Sequence, residues 1–304
     1  MTYSIVARDQ RTGELGVAVQ SHYFSVGSVV SWAEAGVGAV ATQSFAQPSY
    51  GPLGLDLMRA GVAAGPALGA LVHADSERER RQVGMVDAQG GVGAHTGTRC
   101  IEAAGHATAD GVSIQANMMR SAAVWPAMLD AYRSADGDLA DRMLAALDAG
   151  EEAGGDLRGR QSAAILVVAG TGSGRPWQDR LIDLRVEDSA EPLAELRRLL
   201  TMRRGYRRVD AAEERDVAGD LEGALAAYAE AEAMLGDNIE ATFWLAVMLA
   251  RNGRADDARR LLVRVTAKDP CWADLLRRLP AAGMFEPGAA AAERLLAGLP
   301  EAAG

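Results

Sequence analysis

Thr2 stands one initiator residue from the amino terminus, at the head of the apolar run Y-S-I-V-A-R. Loss of Met1 would make it a nucleophile and base in one residue. Its hydroxyl could attack a carbonyl while its own α-amine, with a pKa of about 8, takes the proton. Ser21 and His22 end a second strand-like run, but strand neighbours face opposite ways, so by themselves they are not a nucleophile and base pair. Gln115 and Asn117 alternate and would share a face, as carbonyl or oxyanion ligands. Asp87 and His95 flank a turn, and an Asp–His pair there would tune a proton acceptor without defining a metal site. Each has a plainer reading. Thr2 would then be a strand residue, Ser4 and Ser21 would face solvent, Gln115 and Asn117 would seat a loop, and His73 and His106 would be structural.

Strands joined by tight turns must position these groups. Residues 3–8 and 15–21 form a hairpin pattern around Gly13, and residues 26–32 and 37–43 repeat the form, so four antiparallel strands are expected in one sheet. Helices follow, one carrying Leu53, Leu55, Leu57 and Met58 and one opened by Pro66. Residues 81–87 and 91–97 form a second hairpin pattern, and 111–117 a further strand. Two helical segments come next, followed by strands at 162–170 and 181–186. This order predicts an α+β layered fold, two sheets covered outside by helices, over residues 1–190.

From 191 to 304 the pattern is helical. Gly219, Ala224, Tyr228 and Ala231 recur 34 positions on as Gly253, Ala258, Leu262 and Val265, the tetratricopeptide spacing. A tail of two or three repeats is near the minimum for a solenoid, which predicts packing on the first domain or a second subunit, and a homodimer. Either helical ballast or a groove for a peptide or protein partner accounts for it.

A net charge of −10 over 304 residues, with no basic cluster interleaved with aromatics, argues against nucleic acid. The arginines at 197–208 read as a solvated helix face. Cys100 and Cys271 form no metal-spaced pattern, and no apolar span or signal-like leader is found, so a cytoplasmic protein without membrane, metal or cofactor is expected.

The motifs S-I-V-A-R-D, G-E-L-G-V-A-V-Q-S, G-V-G-A-V-A-T-Q, Y-G-P-L-G-L-D-L, R-Q-V-G-M-V-D, A-H-T-G and G-G-D-x-R-G-R-Q-S-A-A resemble, in order, a bacterial and archaeal domain of unknown function placed among Ntn-hydrolase-like proteins. The resemblance implies a four-layered αββα fold, and amide hydrolysis by Thr2 through a covalent ester. Asp156, Arg158, Arg160, Gln161 and Ser162 match its last motif, as binders of an acidic or amide substrate or as caps of the following strand. Two classes of function follow. One is an amidohydrolase with Thr2 as nucleophile and Ser21, His22, Asn117 and Arg160 around its substrate; the other is a non-catalytic module binding a small ligand or a protein.

Overall fold

The computed structural model describes residues 2–300, and the expectation about removal of Met1 lies outside the described residues. In chain order the first elements are β1 (Thr2–Arg8), β2 (Leu15–Ser21), α1 (Gly27–Val30), β3 (Ser31–Glu34), β4 (Gly38–Ser44), α2 (Tyr50–Arg59), α3 (Ala64–Ala74), β5 (Arg81–Asp87) and β6 (Val92–Thr96). There follow β7 (Gly105–Ala109), β8 (Val112–Asn117), α4 (Val124–Ser134), α5 (Leu139–Glu152), β9 (Ser162–Val168), α6 (Pro176–Asp179) and β10 (Arg180–Val186). The remaining helices are α7 (Pro192–Val217), α8 (Leu221–Leu235), α9 (Ile239–Arg251), α10 (Ala255–Lys268), α11 (Cys271–Arg278) and α12 (Ala289–Leu296).

The chain divides into two compact units, with the boundary after Leu200, inside α7. In the first unit, a six-stranded sheet in the order β10-β9-β2-β1-β8-β7 and a four-stranded sheet in the order β3-β4-β5-β6 are both antiparallel. Alternation along each strand divides the side chains between two faces. Tyr3, Ile5 and Ala7 of β1 join Met128, Met143 and Leu147 of α4 and α5 in one core. Val40, Val83 and Met85 pack with Tyr50, Leu55 and Leu68 of α2 and α3 in another. Between the sheets, Val6, Val17, Val19, Ala39, Ala41 and Leu166 form a third. The first unit is therefore a mixed α/β domain of two antiparallel sheets with flanking helices.

Two expectations are corrected. Residues 26–32 are not one strand: Gly27–Val30 forms a helical turn and only Ser31 onward is extended. The first four strands also do not share a sheet, because this segment carries the chain from the six-stranded sheet to the four-stranded one. A Cβ on Gly27 would sit 2.4 Å from the Cβ of Ala164, so the turn needs glycine to cross β9 this closely.

The second unit is all helical. Ala224, Tyr228 and Ala231 are buried, as are Ala258, Leu262 and Val265 at the same repeat positions. Gly219 and Gly253 take left-handed turns at φ 82° and 76°. Phe243 anchors the later helices, with its ring centre 5.0 Å from that of Trp272.

Gly84 of β5 faces the six-stranded sheet, and a Cβ there would meet Gln115 Oε1 at 2.1 Å and Ser113 Oγ at 2.8 Å. Gly84→Ala is expected to lower stability by about 1–3 kcal/mol, through overpacking against polar groups that have no room to retreat. Urea unfolding checks this; an unchanged midpoint would show that the sheets do not need this close approach.

Candidate functional site

Polar residues placed at every second position put a hydrogen-bonded layer between the sheets at the Thr2 end. Thr2 and Ser4 come from β1, Gln43 from β4, Gln82 from β5, and Ser113, Gln115 and Asn117 from β8, all of them buried. Thr2 Oγ1 lies 3.0 Å from Ser21 Oγ. The amide of Gln43 donates toward Thr2 O (3.1 Å), Gln82 Oε1 (2.8 Å) and Gln115 O (3.2 Å), while its own oxygen accepts from Ser4 Oγ at 2.6 Å. Asn117 Nδ2 donates to Gln82 Oε1 (2.9 Å) and Thr2 O (3.3 Å). Gln82 Nε2 donates to Ala116 O (2.9 Å), Thr96 Oγ1 (3.0 Å) and Gly105 O (3.1 Å). Ser113 Oγ donates to Gln115 Oε1, and Gln115 Nε2 to Ser4 Oγ, each at 2.9 Å.

The structure therefore brings Thr2, Ser21 and Asn117 together. The hydroxyl partner of Thr2 is another neutral hydroxyl, which cannot act as a base at neutral pH. His22 turns elsewhere: its Nδ1 is 3.1 Å from Arg160 O, and its backbone N–H donates to Asp156 Oδ2 at 3.0 Å. Arg160 pairs with Glu151 (2.8 Å) and with Glu191. Glu151 also accepts from Tyr3 Oη at 2.7 Å, and Tyr3 points to the helical face of its sheet, so Arg160 belongs to the side away from the Thr2 hydroxyl. Burial, and then the charge of Glu151, push the Tyr3 phenol well above its usual range.

Other sequence candidates hydrogen-bond to the main chain around them. Asp87 accepts from the N–H groups of Ala64 (2.8 Å), Gln89 (3.0 Å) and Gly91 (2.8 Å), while His95 Nε2 is 2.9 Å from Arg78 O. The Asp–His pair does not form, because Asp87 pairs across β4 with Gly38 and His95 across β5 with Val83, toward the other end of the sheet. Ser162 Oγ donates to Tyr23 O and accepts from Val26 N at 3.1 Å. Gln43 and Gln82 are the hubs that sequence reasoning missed. Their signal was a glutamine at the end of an apolar run, Gln43 after G-A-V-A-T and Gln82 before V-G-M-V, and when buried such an amide needs its hydrogen bonds made.

The two ends of the sheets differ. At the Thr2 end, Ser44 at the close of β4 and Ser25, Ala103 and Met118 on the loops hold positive φ angles of 51–70°, a conformation costing about 1–3 kcal/mol each without a glycine. The same loops leave Tyr23, Phe24, Phe45, Ile101 and Leu157 exposed. At the other end the corresponding positions are Gly13, Gly36, Gly90 and Gly111, where the turn is cheap. Among the described residues no group of three metal-ligating side chains converges, and no helix is long and apolar enough to cross a membrane.

Comparison with known proteins places this arrangement. The model of a family of unknown function, DUF1028, matches residues 2–196. The chain belongs to that family. A solved DUF1028 structure, protein SPO2555 from Silicibacter pomeroyi, is similar at 30% identity with a TM-score of 0.60, over 66% of this chain and 87% of that one. A tetratricopeptide repeat model matches residues 218–279. No curated protein matches the chain. The polar layer, with Thr2 at its edge, lies wholly within the DUF1028 domain.

Gln82→Leu keeps the bulk but removes the acceptor of two amides, Gln43 and Asn117. Gln43 keeps Thr2 O and Gln115 O and Asn117 keeps Thr2 O, but one N–H of Asn117 and the acceptors of the Gln82 amide lose a partner, so the substitution is expected to cost about 1–3 kcal/mol, read from denaturant midpoints; a neutral substitution would show that the layer is not a closed network. Asp75, below the apolar loops, accepts from Arg81 Nε (2.8 Å) and Tyr50 Oη (3.1 Å). Arg81 holds its carboxyl below the usual range, helped by the Glu77 amide and Tyr50. A depressed folded pKa gives stability that is present above the unfolded value and lost as pH falls through the folded one. The stability gap between the parent and Asp75→Asn should therefore be full above about pH 5 and close in acid. A gap independent of pH would rule out this ion pair as its source.

Proposed function

We propose that the chain is a binding module: the Thr2 end of the DUF1028 domain takes a small or peptide-like ligand, and the helical tail takes a segment of a protein partner. The observation carrying this reading is the loop set at the Thr2 end, where four strained non-glycine residues and five exposed apolar side chains meet over one edge of the sandwich. Strain of this kind is kept where loops must hold a defined shape toward a ligand. The amides beneath are spent on protein acceptors, so they brace the loops. For the tail, support comes from the tetratricopeptide match, since such helix pairs build concave binding surfaces. In this reading the protein works in the cytoplasm as a homodimer.

A second reading rests on the position of Thr2, which opens β1 with its hydroxyl between two antiparallel sheets and 3.0 Å from Ser21 Oγ. Taken as a four-layered Ntn-hydrolase-like fold, the domain would use Thr2, freed of Met1, as nucleophile. The hydroxyl adds to an amide carbonyl, its proton passes by way of the freed α-amine to the leaving amine, and an ester to Thr2 forms. Water then cleaves the ester, releasing the acid and restoring the hydroxyl. Asn117 would serve the oxyanion only by giving up Thr2 O or Gln82 Oε1.

The two readings separate in one experiment. A panel of dipeptides and N-acyl amino acids is screened by ligand-observed NMR against the parent, Thr2→Ala and Phe24→Ser/Phe45→Ser. The binding reading expects binding to survive Thr2→Ala, to weaken about tenfold or more in the folded double variant, which costs roughly 1.4 kcal/mol per decade, and no cleavage. Absence of any loop-dependent binder would overturn it. Cleavage by the parent but not by folded Thr2→Ala would replace it with the second reading.

A further inference from the structure

At the end of β1 away from Thr2, the first unit carries a cleft of about 540 Å³, lined by Arg8 and Arg11 beside Asp110, and by Tyr132, Arg133 and Arg142 of the α4–α5 pair. Its size is that of a small-molecule site. Among the described residues, three buried side-chain polar atoms find no hydrogen-bond partner, and two of them, Arg8 Nε and Tyr132 Oη, belong to residues of this cleft. Tyr132 is only 2% exposed. Both atoms carry a proton to donate, so what each lacks is an acceptor, and a buried donor left unpaired is costly.

The carboxylates already present are engaged or exposed. Asp9 accepts from the N–H groups of Arg11 (2.8 Å) and Thr12 (3.0 Å), and pairs with Arg142 at 3.5 Å. Asp110 accepts from Gln10 Nε2 at 2.9 Å, and Asp136 faces solvent. Arg142 lies over the Tyr132 ring, 4.2 Å from its centre, and its Nε is 3.4 Å from Tyr132 O. Four guanidiniums, those of Arg8, Arg11, Arg133 and Arg142, thus face the three carboxylates of Asp9, Asp110 and Asp136, an excess of one positive charge in a chain of net charge −10.

We propose that this cleft binds a small molecule through a single carboxylate, one oxygen accepting from Arg8 Nε and the other from Tyr132 Oη. Both donors belong to residues that line the cleft, and binding would turn the Arg8 and Arg142 side chains so as to present them to the ligand. Two donors match the two oxygens of one carboxylate, and a single excess positive charge suits a monoanion. A phosphate dianion would meet repulsion from the three aspartates. The site is separate from the Thr2 end, since the length of β1 sets them about 20 Å apart.

The test is calorimetric titration of the full chain at low salt with acetate, succinate and L-glutamate, and with inorganic phosphate. Tyr132→Phe deletes only a hydroxyl with no protein partner, so its unliganded melting temperature should equal or exceed that of the parent. At least one carboxylate is expected to bind the parent, and to bind Tyr132→Phe about tenfold or more weakly through loss of a charge-assisted hydrogen bond. Arg8→Lys keeps the charge while losing Nε–H, and should show the same weakening, which also covers the case in which Tyr132→Phe does not fold. Equal affinity in the folded variants, binding of phosphate alone, or no binding by any carboxylate would overturn the proposal.

Discussion

The first unit depends on one constraint: the side-chain amides of Gln43, Gln82, Gln115 and Asn117, sealed between its sheets, must find partners there. Gln43 and Gln82 meet it by bridging the sheets, each spending its amide on atoms of the opposite layer, main-chain carbonyls among them. Because strand side chains alternate with a period of two, a slip of one residue in β4 or β5 would turn these glutamines into the apolar layer beneath α2 and α3. Such a slip would also strand their partners. The network therefore fixes register more sharply than apolar packing can, since apolar side chains tolerate a shifted neighbour and a buried donor does not.

That constraint also divides the inter-sheet space. Toward β9 the gap is filled by Val17, Val19, Ala164 and Leu166, and toward β8 by the hydrogen-bonded layer. Glycine at position 84 allows the two sheets to close over Gln115. The polar half holds the main-chain oxygen of Thr2 from two directions, by Gln43 and Asn117, so the first residue of β1 is fixed in place. The loops that leave the same edge are tied to one another: Met118 N–H donates to Ile101 O, Met119 N–H to Ala103 O, and Arg81 Nη1 to Phe45 O.

Much of this framework was legible in the sequence, and the exceptions share a cause. The β1–β2 and β5–β6 hairpins were readable because buried strands with a turn between them leave a local pattern. The segment 26–32 has the same apolar composition, yet whether it continues a sheet or crosses to another is decided by contact with β9, more than a hundred residues on. Strand β7, G-H-A-T-A, was missed because it lies at a sheet edge and its inward positions are only Gly105, Ala107 and Ala109, too small for their alternation with His106 and Thr108 to stand out. Of the candidate site, Thr2, Ser21 and Asn117 meet because each stands at the end of its strand on the same edge of the six-stranded sheet. Arg160 does not join them, since a sequence motif says which residues are near in the chain and not on which face of a sheet they emerge. The repeat in the tail was visible because its contacts are local, each small residue packing within its own helix pair.

The same bracing serves either use of the Thr2 end. A ligand-binding edge gains affinity when its loops are already held in the bound shape, because the ordering cost has been met on folding. A nucleophile gains for the same reason when its backbone is fixed. What differs is the fate of the hydroxyl. Bonded to Ser21, the Thr2 oxygen has a neutral partner, and neither His22 nor Arg160 is turned toward it. Chemistry at Thr2 would therefore need a base of its own, for which its freed α-amine is the candidate, whereas binding would draw on the apolar side chains that the loops leave exposed.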